Sequence, residues 1–260
     1  SRFLKFFIMF LDKLLRNKLK RILQKIIQKI IPRKLHLPLY FYYFKIRKYL
    51  EPEMFYVEKL IDKKERFLDI GSNVGIYSYY FRNKFKFINS FEPLEELSNG
   101  LKSLNLKNIK IHNKAISNQK GKLTLHIPLL LGNPSSGLAS LEERNVLCEE
   151  RLVEIETIDS FYFDDVSLIK IDVEGHELSV LQGSIETIKR CKPIILVEIE
   201  QRHINRDIKD VFSEFLDLNY EGFFLRKNKL IPLYIFDCKK HQKPFLKSPL
   251  NNVYINNFIF

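Results

Sequence analysis

The chain has 260 residues, and its 45% of hydrophobic residues can fill the core of one good-sized domain with additional elements. Its three cysteines, Cys148, Cys191 and Cys238, are too few and too scattered for a disulfide framework, so we expect a reducing, cytoplasmic setting. The formal net charge is +12, but residues 1–34 hold eleven Lys or Arg and one acidic residue, and the rest is nearly neutral. A nucleic-acid-binding protein is not expected, because no basic, aromatic-laced face extends beyond that segment.

The basic segment, residues 1–34, has hydrophobic residues at steps of three and four, which is the period of an amphipathic helix ended by Pro32. Its longest uncharged run, Phe6 to Leu11, is far shorter than the roughly 20 apolar residues of a membrane-spanning helix, and it lacks the pattern of a signal peptide. We predict a basic amphipathic helical arm that binds an anionic membrane surface, peripherally on the inner face of the cytoplasmic membrane. Packing of this helix on the body or on a second subunit is the alternative.

The remaining chain divides into an aromatic-rich lead-in, residues 35–65, and a body, residues 66–260. The lead-in predicts one or two short helices. In the body, strand patterns alternate with helix patterns, and the last three strand patterns alternate like antiparallel strands. We therefore predict an α/β domain with a doubly wound, Rossmann-like sheet that is mostly parallel and closes with antiparallel C-terminal strands. The strand patterns are 66–70, 85–91, 109–116, 122–128, 151–158, 166–173, 193–200, 220–226, 229–236 and 251–260; the helix patterns include 94–106, 177–190 and 206–218; and 128–150 reads as an irregular insertion.

The first strand-to-helix turn of the body reads "LDIGSNVGIYS". Ligands of doubly wound sheets bind at the carboxyl ends of the strands. Gly71 allows a tight turn, Gly75 lets the helix start approach a ligand, and we expect the exposed N–H groups of the turn to hold an anionic group. Asp69, just before the turn, suits a cation such as an ammonium group. The stretch lacks GxGxxG, which argues against a nicotinamide-dependent oxidoreductase; a purely structural turn is the other alternative.

Two further segments fit the same ligand. Glu92 ends the second predicted strand in "FINSFEP", where a carboxylate can accept both hydroxyls of a ribose. Together with the glycine turn, this carboxylate resembles the S-adenosylmethionine site of class I methyltransferases. The resemblance implies an adenine near the loop of the third strand, "HNKAISN", with Ala115 and Ile116.

A second motif, "LIKIDVEGHEL", makes the resemblance closer. With "FLDIGSNVGIYS", "FEP", "SSGLASL", "TIDSF" and "PIILVEIE", it resembles in order and spacing the FkbM family of methyltransferases, over about residues 66–200. The family implies a class I methyltransferase fold and transfer of a methyl group from S-adenosylmethionine to an oxygen, often a hydroxyl of a sugar or polyketide. Its bacterial members often accompany genes for surface glycans.

The resemblance also assigns residues to the two halves of the site. At the cofactor it places Asp69, Gly71, Ser72, Asn73, Gly75, Ile76, Tyr77, Glu92 and Ala115. Facing the methyl group and its acceptor it places Asp172, Glu174, Gly175, His176 and Glu177. The catalytic candidates are Asp172, Glu174 and His176, as the base or as groups that orient the acceptor hydroxyls.

These candidates have structural alternatives. Strand alternation puts Lys170, Asp172 and Glu174 on one side, where the lysine would hold the carboxylates ionised. The alternative for Asp172 is a structural carboxylate that caps the next helix or fixes Lys170. His176 has a suitable pKa for a base, but at a helix start it can equally be a solvated or capping side chain. Which of the three takes the proton stays open.

Other acidic residues near the motif have simpler explanations. The helix dipole accounts for Glu177, and Asp159 is expected to cap a short helix before the strand at 166–173. Glu198 and Glu200 either line the acceptor pocket or are solvated strand ends. Asp172, Glu174 and Glu198 offer hard oxygen ligands, but no spacing demands a metal and none is predicted.

We therefore predict an S-adenosylmethionine-dependent O-methyltransferase that acts on a sugar hydroxyl of a glycan or glycolipid. The alternative is a membrane-docked, catalytically inactive binding protein on the same fold. A damaged cofactor loop would favour that alternative, whereas Asp69, Gly71, Gly75 and Glu92 are all present.

Overall fold

The computed structural model describes residues 31–130, 132–143, 146–245 and 254–260, which form two β-sheets and flanking helices. The predicted arm falls almost entirely on residues 1–30 and so lies outside the described residues. The helices are α1 (Arg33–Arg47), α2 (Pro52–Leu60), α3 (Ile76–Phe81), α4 (Glu95–Lys102), α5 (Glu177–Gln182), α6 (Ile185–Cys191), α7 (Ile208–Leu216) and α8 (Cys238–His241). The strands are β1 (Arg66–Ile70), β2 (Phe87–Phe91), β3 (Ile109–His112), β4 (Ala115–Ile116), β5 (Gly121–Leu130), β6 (Asn133–Pro134), β7 (Cys148–Glu156), β8 (Val166–Ile171), β9 (Ile194–Glu198), β10 (Phe223–Arg226), β11 (Lys229–Pro232) and β12 (Asn257–Ile259).

The larger sheet has eight strands in the order β11-β10-β12-β9-β8-β1-β2-β3. The neighbours β3, β2, β1, β8 and β9 pair in parallel, and β12 pairs antiparallel with both β9 and β10. The predicted doubly wound, mostly parallel sheet with an antiparallel close is confirmed. From β1 the chain winds outward to β3, then returns to β8 and winds the other way, so the strand order reverses between β1 and β8. Ligands of such sheets bind at this reversal, beside the carboxyl ends of the two strands.

The two faces of this sheet are buried under separate helical layers, because successive strand side chains point to opposite faces. Phe67 and Leu168 pack with residues of α1, α2 and α3, whereas Leu68 and Ile169 pack with residues of α5, α6 and α7. The lead-in helices α1 and α2 therefore belong to the core of the domain through buried residues such as Met54. No described helix is both long and apolar enough to cross a membrane.

The smaller sheet, in the order β4-β7-β5-β6, corrects two predictions. The pattern at 109–116, predicted as one strand, is split: β3 ends at His112 in the larger sheet, and β4 pairs with β7 in the smaller one. Residues 128–150, predicted as irregular, contain the end of β5, the short β6 and the start of β7. The partner of β4 lies far along the chain, and local sequence patterns do not carry that information.

The helix predicted over 177–190 is two helices, α5 and α6, separated at Gly183 and Ser184. A Cβ atom at Gly183 would lie 2.0 Å from the carbonyl oxygen of Ser117. Glycine at the break therefore lets the backbone of Ser117 lie close to the chain between α5 and α6. The prediction for Asp159 was also wrong in its target. Its carboxylate accepts hydrogen bonds from the backbone N–H groups of Glu186 and Thr187, at 3.1 and 2.8 Å, and so caps α6.

Candidate functional site

Two clefts open at the reversal point between β1 and β8. The first cleft, with about 590 Å³ of space including its mouth, is lined by Phe91, Glu92, Pro93, Ala115, Ile116, Leu125, residues 136–141 apart from Leu138, Val173, Glu174 and His176. The second cleft, with about 670 Å³, is lined by Tyr40, Phe44, Tyr49, Leu50, Glu51, Met54, Asp69, Ser72, Val74, Ile76, Tyr77 and Lys170. Gly71, Asn73 and Asp172 line both clefts. These three residues follow β1 and β8, so the two clefts adjoin at the ends of these strands.

The turn after β1 is shaped by Gly71 and Gly75, which both have positive φ, at 74° and 87°. A Cβ atom on Gly71 would lie 1.8 Å from the carbonyl oxygen of Asp172, so glycine is needed for the two strand ends to approach each other. A Cβ atom on Gly75 would lie 2.9 Å from the side chain of Leu101 in α4. Gly75 is thus placed by packing within the domain and lines neither cleft.

The N–H groups of this turn donate hydrogen bonds within the protein, so they are not free to hold the anionic group that the sequence predicted. Those of Gly71 and Ser72 donate to the carbonyl oxygen of Phe91, each at 3.0 Å, and that of Gly75 donates to Ser72 at 2.8 Å. The N–H of Asn73 donates to Glu92 at 2.9 Å, and that of Val74 to the side chain of Asn73. In this conformation the N–H groups of the turn bond to the turn itself and to residues at the end of β2. The turn can therefore let a ligand lie close to its backbone, but it does not donate hydrogen bonds to that ligand.

Glu92 is buried at the end of β2 and is held in place by the backbone. Its two carboxylate oxygens accept hydrogen bonds from the N–H groups of Asn73 and Leu94, both at 2.9 Å. Burial raises the pKa of Glu92 to about 7, although these hydrogen bonds act to lower it. A carboxylate offers about four acceptor positions, so capacity remains for the two hydroxyls of a ribose in the first cleft.

Asp69 lies on the floor of the second cleft and is only 2% exposed. Its Oδ2 atom accepts hydrogen bonds from the backbone N–H and the hydroxyl of Ser78, at 3.0 and 2.6 Å. Burial raises the pKa of Asp69 to about 6 against the opposing effects of Ser78 and Lys170. Asp69 therefore anchors α3 to β1 in addition to lining the cleft.

Lys170 and Asp172 form the junction of the two clefts. Lys170 is 2% exposed, and its Nζ lies 3.7 Å from Oδ2 of Asp172, whose side chain is 34% exposed. The shared side predicted for these two residues is confirmed. The carboxylates of Asp172, Glu51, Glu198 and Asp69 outweigh burial and raise the pKa of Lys170 above its usual range. Burial, together with the negative charge of Glu174, raises the pKa of Asp172 to about 6 although Lys170 opposes this.

Glu174 leaves the strand direction at a positive φ of 56°. One of its carboxylate oxygens lies 2.8 Å from Nδ1 of His203, and both side chains are largely buried. Its carbonyl oxygen accepts a hydrogen bond from the hydroxyl of Ser140 at 2.8 Å. At Gly175 a Cβ atom would lie 2.5 Å from the carbonyl oxygen of His203, which explains glycine there. The segment after β8 is thus fitted closely against residues 201–203.

His176 is neither solvated nor a side-chain cap, the alternatives raised by the sequence. It is 7% exposed, and both ring nitrogens have partners. Nε2 lies 3.0 Å from the hydroxyl of Ser117, and Nδ1 lies 2.6 Å from a carboxylate oxygen of Glu142. His176 lines the first cleft with its ring held between these two groups.

The remaining acidic candidates have structural partners. Glu177, at the first position of α5, accepts a hydrogen bond from the N–H of Gly175 at 2.8 Å, and burial raises its pKa to about 7. Glu198 accepts a hydrogen bond from Asn256, and the buried Glu200 contacts Tyr254 and Arg202. Neither Glu198 nor Glu200 lines the two clefts. No group of three His, Cys, Asp or Glu residues in the described ranges is arranged to hold a metal ion.

The predicted cofactor residues divide between the two clefts. Glu92 and Ala115 line the first, and Gly71 and Asn73 line both. The second cleft has Asp69, Ser72, Ile76 and Tyr77 on its walls. The described structure brings all of these residues to the same end of the sheet, as predicted.

Several residues that contact the site were not predicted from the sequence. Glu51, in the lead-in, lines the second cleft and accepts a hydrogen bond from the hydroxyl of Tyr77. Ser117 and Glu142 hold His176, and His203 holds Glu174. These residues come from four separate segments, so their spacing in the chain carries no signal that links them to the site.

The residues present fit S-adenosylmethionine. In the first cleft, Glu92 faces a space walled by the small or apolar side chains of Ala115, Ile116 and Leu125, which suits a ribose and an adenine. Around the Gly71 turn, the second cleft offers carboxylates for an ammonium group. These donor and acceptor types match the groups of the cofactor, and the two clefts share Gly71, Asn73 and Asp172 in their linings.

The sheet order, the glycine turn at the reversal point and the acidic residue at the end of β2 define the class I methyltransferase domain. The sequence profile described as the methyltransferase FkbM domain matches residues 69–221. The chain belongs to this FkbM methyltransferase family, and its cofactor is S-adenosylmethionine. No functionally curated protein matches the chain.

Solved structures with a similar course of the backbone include three methyltransferases. Methyltransferase FkbM from Methylobacillus flagellatus is 17% identical with a TM-score of 0.45, and the match covers 76% of this chain and 43% of that protein. A methyltransferase from Streptococcus mutans, solved in complex with SAH, is 11% identical with a TM-score of 0.42, covering 80% of this chain and 94% of that one. A SAM-dependent methyltransferase from Aquifex aeolicus is 17% identical with a TM-score of 0.39, covering 72% and 93%. The present chain thus spans less than half the length of the Methylobacillus flagellatus protein.

Proposed function

We propose that this protein is an O-methyltransferase that transfers a methyl group from S-adenosylmethionine to a sugar hydroxyl of a glycan or glycolipid. The observation that carries the proposal is the position of Asp172, which follows β8 at the reversal point and lines both clefts. Burial raises its pKa to about 6, so the carboxylate is a stronger base than an ordinary aspartate and is still ionised at neutral pH.

Asp172 is better placed than the other two candidates to take the acceptor proton. Glu174 is paired with His203, and both ring nitrogens of His176 are engaged by Ser117 and Glu142. Asp172 has a longer ion pair of 3.7 Å with Lys170 and keeps a third of its side chain exposed. In this assignment Glu174 and His176 orient the acceptor, and Lys170 keeps Asp172 ionised.

The chemistry requires a base and close alignment. When bound, S-adenosylmethionine supplies an electrophilic methyl group. An alcohol oxygen becomes a better nucleophile as its proton leaves, and a positioned base contributes roughly 10²- to 10⁴-fold to the rate. Asp172 accepts that proton, while the rigid turn at Gly71 and the buried Glu92 define the position of the cofactor relative to the carboxylate.

Two substitutions test the assignment. Asp172→Asn should leave SAH binding, measured by calorimetry, within about two-fold of the unmodified protein and should reduce turnover by roughly 10²-fold or more. Glu92→Ala should abolish SAH binding, because the ribose loses its carboxylate. Absence of SAH binding by the unmodified protein would refute the enzyme assignment and leave a binding protein on the same fold.

The acceptor class is tested separately. Mass spectrometry of the surface glycan of the source, with and without this gene, should show the loss of one methyl substituent from a sugar when the gene is removed. An unchanged glycan would remove the sugar from the proposal and leave the cofactor assignment intact. We further propose that the basic segment at residues 1–34 holds the enzyme at an anionic membrane surface, where glycolipid acceptors lie.

A further inference from the structure

Glu51 connects the lead-in helices to the candidate site. It lies between α1 and α2, directly before Pro52, the first residue of α2. The family match begins at residue 69, so Glu51 belongs to a part of the chain that the match does not include. Its carboxylate accepts a hydrogen bond from the hydroxyl of Tyr77 in α3 and lines the second cleft.

The Tyr77 contact gives Glu51 a defined position. Tyr77 is 9% exposed, and burial together with the charge of Glu51 raises the pKa of its phenol well above the usual range. The phenol therefore keeps its proton and donates a hydrogen bond to the carboxylate. One acceptor position of Glu51 is used by this hydrogen bond, and a carboxylate has about four.

Glu51 shares the second cleft with the turn that approaches the cofactor. Gly71, Ser72 and Asn73 form part of the same lining. The negative charge of Glu51 also acts on Lys170 and Asp172, which line the same cleft, because it contributes to raising the pKa values of both. A cation that enters between the turn and the lead-in therefore meets Glu51.

Asp69, the sequence-predicted partner for an ammonium group, is less accessible than Glu51. Asp69 is 2% exposed, and its Oδ2 already accepts two hydrogen bonds from Ser78. Glu51 is only partly buried and lines the same cleft from the lead-in segment. The two carboxylates thus differ in role: Asp69 fixes α3 to β1, and Glu51 faces the ligand space.

We propose that Glu51 binds the amino group at the amino-acid end of S-adenosylmethionine, and that Tyr77 is the positioning residue for its carboxylate. The lead-in segment then completes the cofactor site from outside the matched domain. The inference rests on the cofactor and is independent of the acceptor, so the two proposals can fail separately.

Calorimetry with two ligands tests the role of Glu51. SAH carries the amino-acid tail, and 5′-methylthioadenosine has the same nucleoside without it. Glu51→Gln keeps a side-chain oxygen for Tyr77 but removes the charge, so it should raise the Kd of SAH about ten-fold, the effect of losing one charged hydrogen bond. The Kd of 5′-methylthioadenosine should change less than about two-fold, because this ligand has no group for Glu51.

A matched control comes from the same pair of helices. Glu58 of α2 accepts a hydrogen bond from Tyr80 of α3, just as Glu51 accepts one from Tyr77, but Glu58 and Tyr80 line neither cleft. Glu58→Gln and Tyr80→Phe should leave both Kd values unchanged. Tyr77→Phe should weaken SAH binding less than Glu51→Gln does and should leave 5′-methylthioadenosine unaffected.

Three outcomes would overturn the inference. Equal weakening of both ligands by Glu51→Gln would show a general effect on the fold of the site. An unchanged Kd for SAH would show that another group binds the amine, with the proposed methyl transfer unaffected. Failure of the unmodified protein to bind either ligand would remove both this inference and the proposed function.

Discussion

Lys170 shows how one buried charge organises the site at the scale of single residues. The residue is 2% exposed, and the charges of the Asp172, Glu51, Glu198 and Asp69 carboxylates outweigh its burial and raise the pKa of its ammonium. Burial of a charge is costly unless opposite charges compensate it. Here the ammonium of Lys170 and the surrounding carboxylates compensate each other. Removing the lysine would leave several carboxylates in a poorly solvated space with no cation between them.

We expect Lys170→Met to lower the free energy of unfolding by about 3–5 kcal/mol, the range for breaking a buried ion pair. The matched control is Lys189→Met, because the side chain of Lys189 is 61% exposed and pairs with Glu186 at 3.7 Å. An exposed pair of this kind is worth about 1 kcal/mol or less. Urea unfolding measures both, and equal losses would contradict the compensating role of Lys170.

Glu177 makes the free energy of unfolding depend on pH. Burial, with smaller contributions from Asp172 and Glu174, raises its pKa from 4.5 to about 7 in the folded protein. A folded-state pKa above the unfolded value means that the folded state binds the proton more tightly. Between pH 4.5 and about 7, this residue therefore makes the protein less stable as the pH rises.

Glu177→Gln removes this titration and keeps an oxygen for the N–H of Gly175. As the pH rises, the free energy of unfolding of the variant should increase relative to that of the unmodified protein. The difference between the two proteins should be about 2 kcal/mol larger at pH 8 than at pH 5. Urea unfolding at the two pH values measures the difference. A difference that does not depend on pH would show that Glu177 is ionised throughout this range in the folded state.

At the scale of elements, the close approach of β1 and β8 decides where the site lies. The two strands are paired, and the turn after β1 lies against the backbone of Asp172. Gly71→Ala places a Cβ atom 1.8 Å from that backbone oxygen and also strains a φ of 74°. Both strands must shift to accommodate it, because backbone cannot rotate away as a flexible side chain can.

Gly121 provides a control for the strain alone, since its φ is also positive, at 144°, and no atom lies within 4 Å of its added Cβ. We expect Gly121→Ala to cost about 1–3 kcal/mol of unfolding free energy and Gly71→Ala to cost more. Only Gly71→Ala should also weaken SAH binding in calorimetry. Similar losses of stability and intact SAH binding in both variants would contradict the steric role of Gly71.

The elements also show how far sequence reasoning reaches. Nearly continuous apolar runs predicted the buried strands β1, β8 and β9, because both faces of these strands are covered and the pattern is local. The same reasoning joined β3 to β4 and α5 to α6. In both cases the break is imposed by a distant segment: β7 pairs with β4, and the backbone of Ser117 approaches Gly183.

For the whole molecule, charge is distributed unevenly between the N-terminal segment and the body. Residues 1–34 carry most of the net charge of +12. The helix that begins at the end of this segment, α1, continues this character: beyond residue 34 it contains Lys45 and Arg47, and it exposes Leu35, Tyr40, Tyr42 and Ile46. Basic residues attract anionic headgroups, at about 1 kcal/mol each near the surface, and tyrosines favour the interface.

We therefore expect the full chain to sediment with liposomes that contain anionic lipid and to remain in solution with zwitterionic liposomes. Deletion of residues 1–30, which leaves α1 intact, should reduce the bound fraction strongly, and added salt should do the same by screening the charges. Equal sedimentation of both chains on anionic liposomes would assign membrane binding to another surface, and no sedimentation of either would refute membrane docking.

For the site as a whole, the sequence by itself determined the fold class, the glycine turn and the residues at the carboxyl ends of β1, β2 and β8. This was possible because strand periodicity and motif spacing are local properties. The tertiary structure alone decided the partners of these residues. It placed Glu51 beside Tyr77, His203 beside Glu174, and Ser117 and Glu142 around His176. These contacts depend on how separate segments pack around the sheet, and the free energy of that packing is not encoded at any one position of the chain.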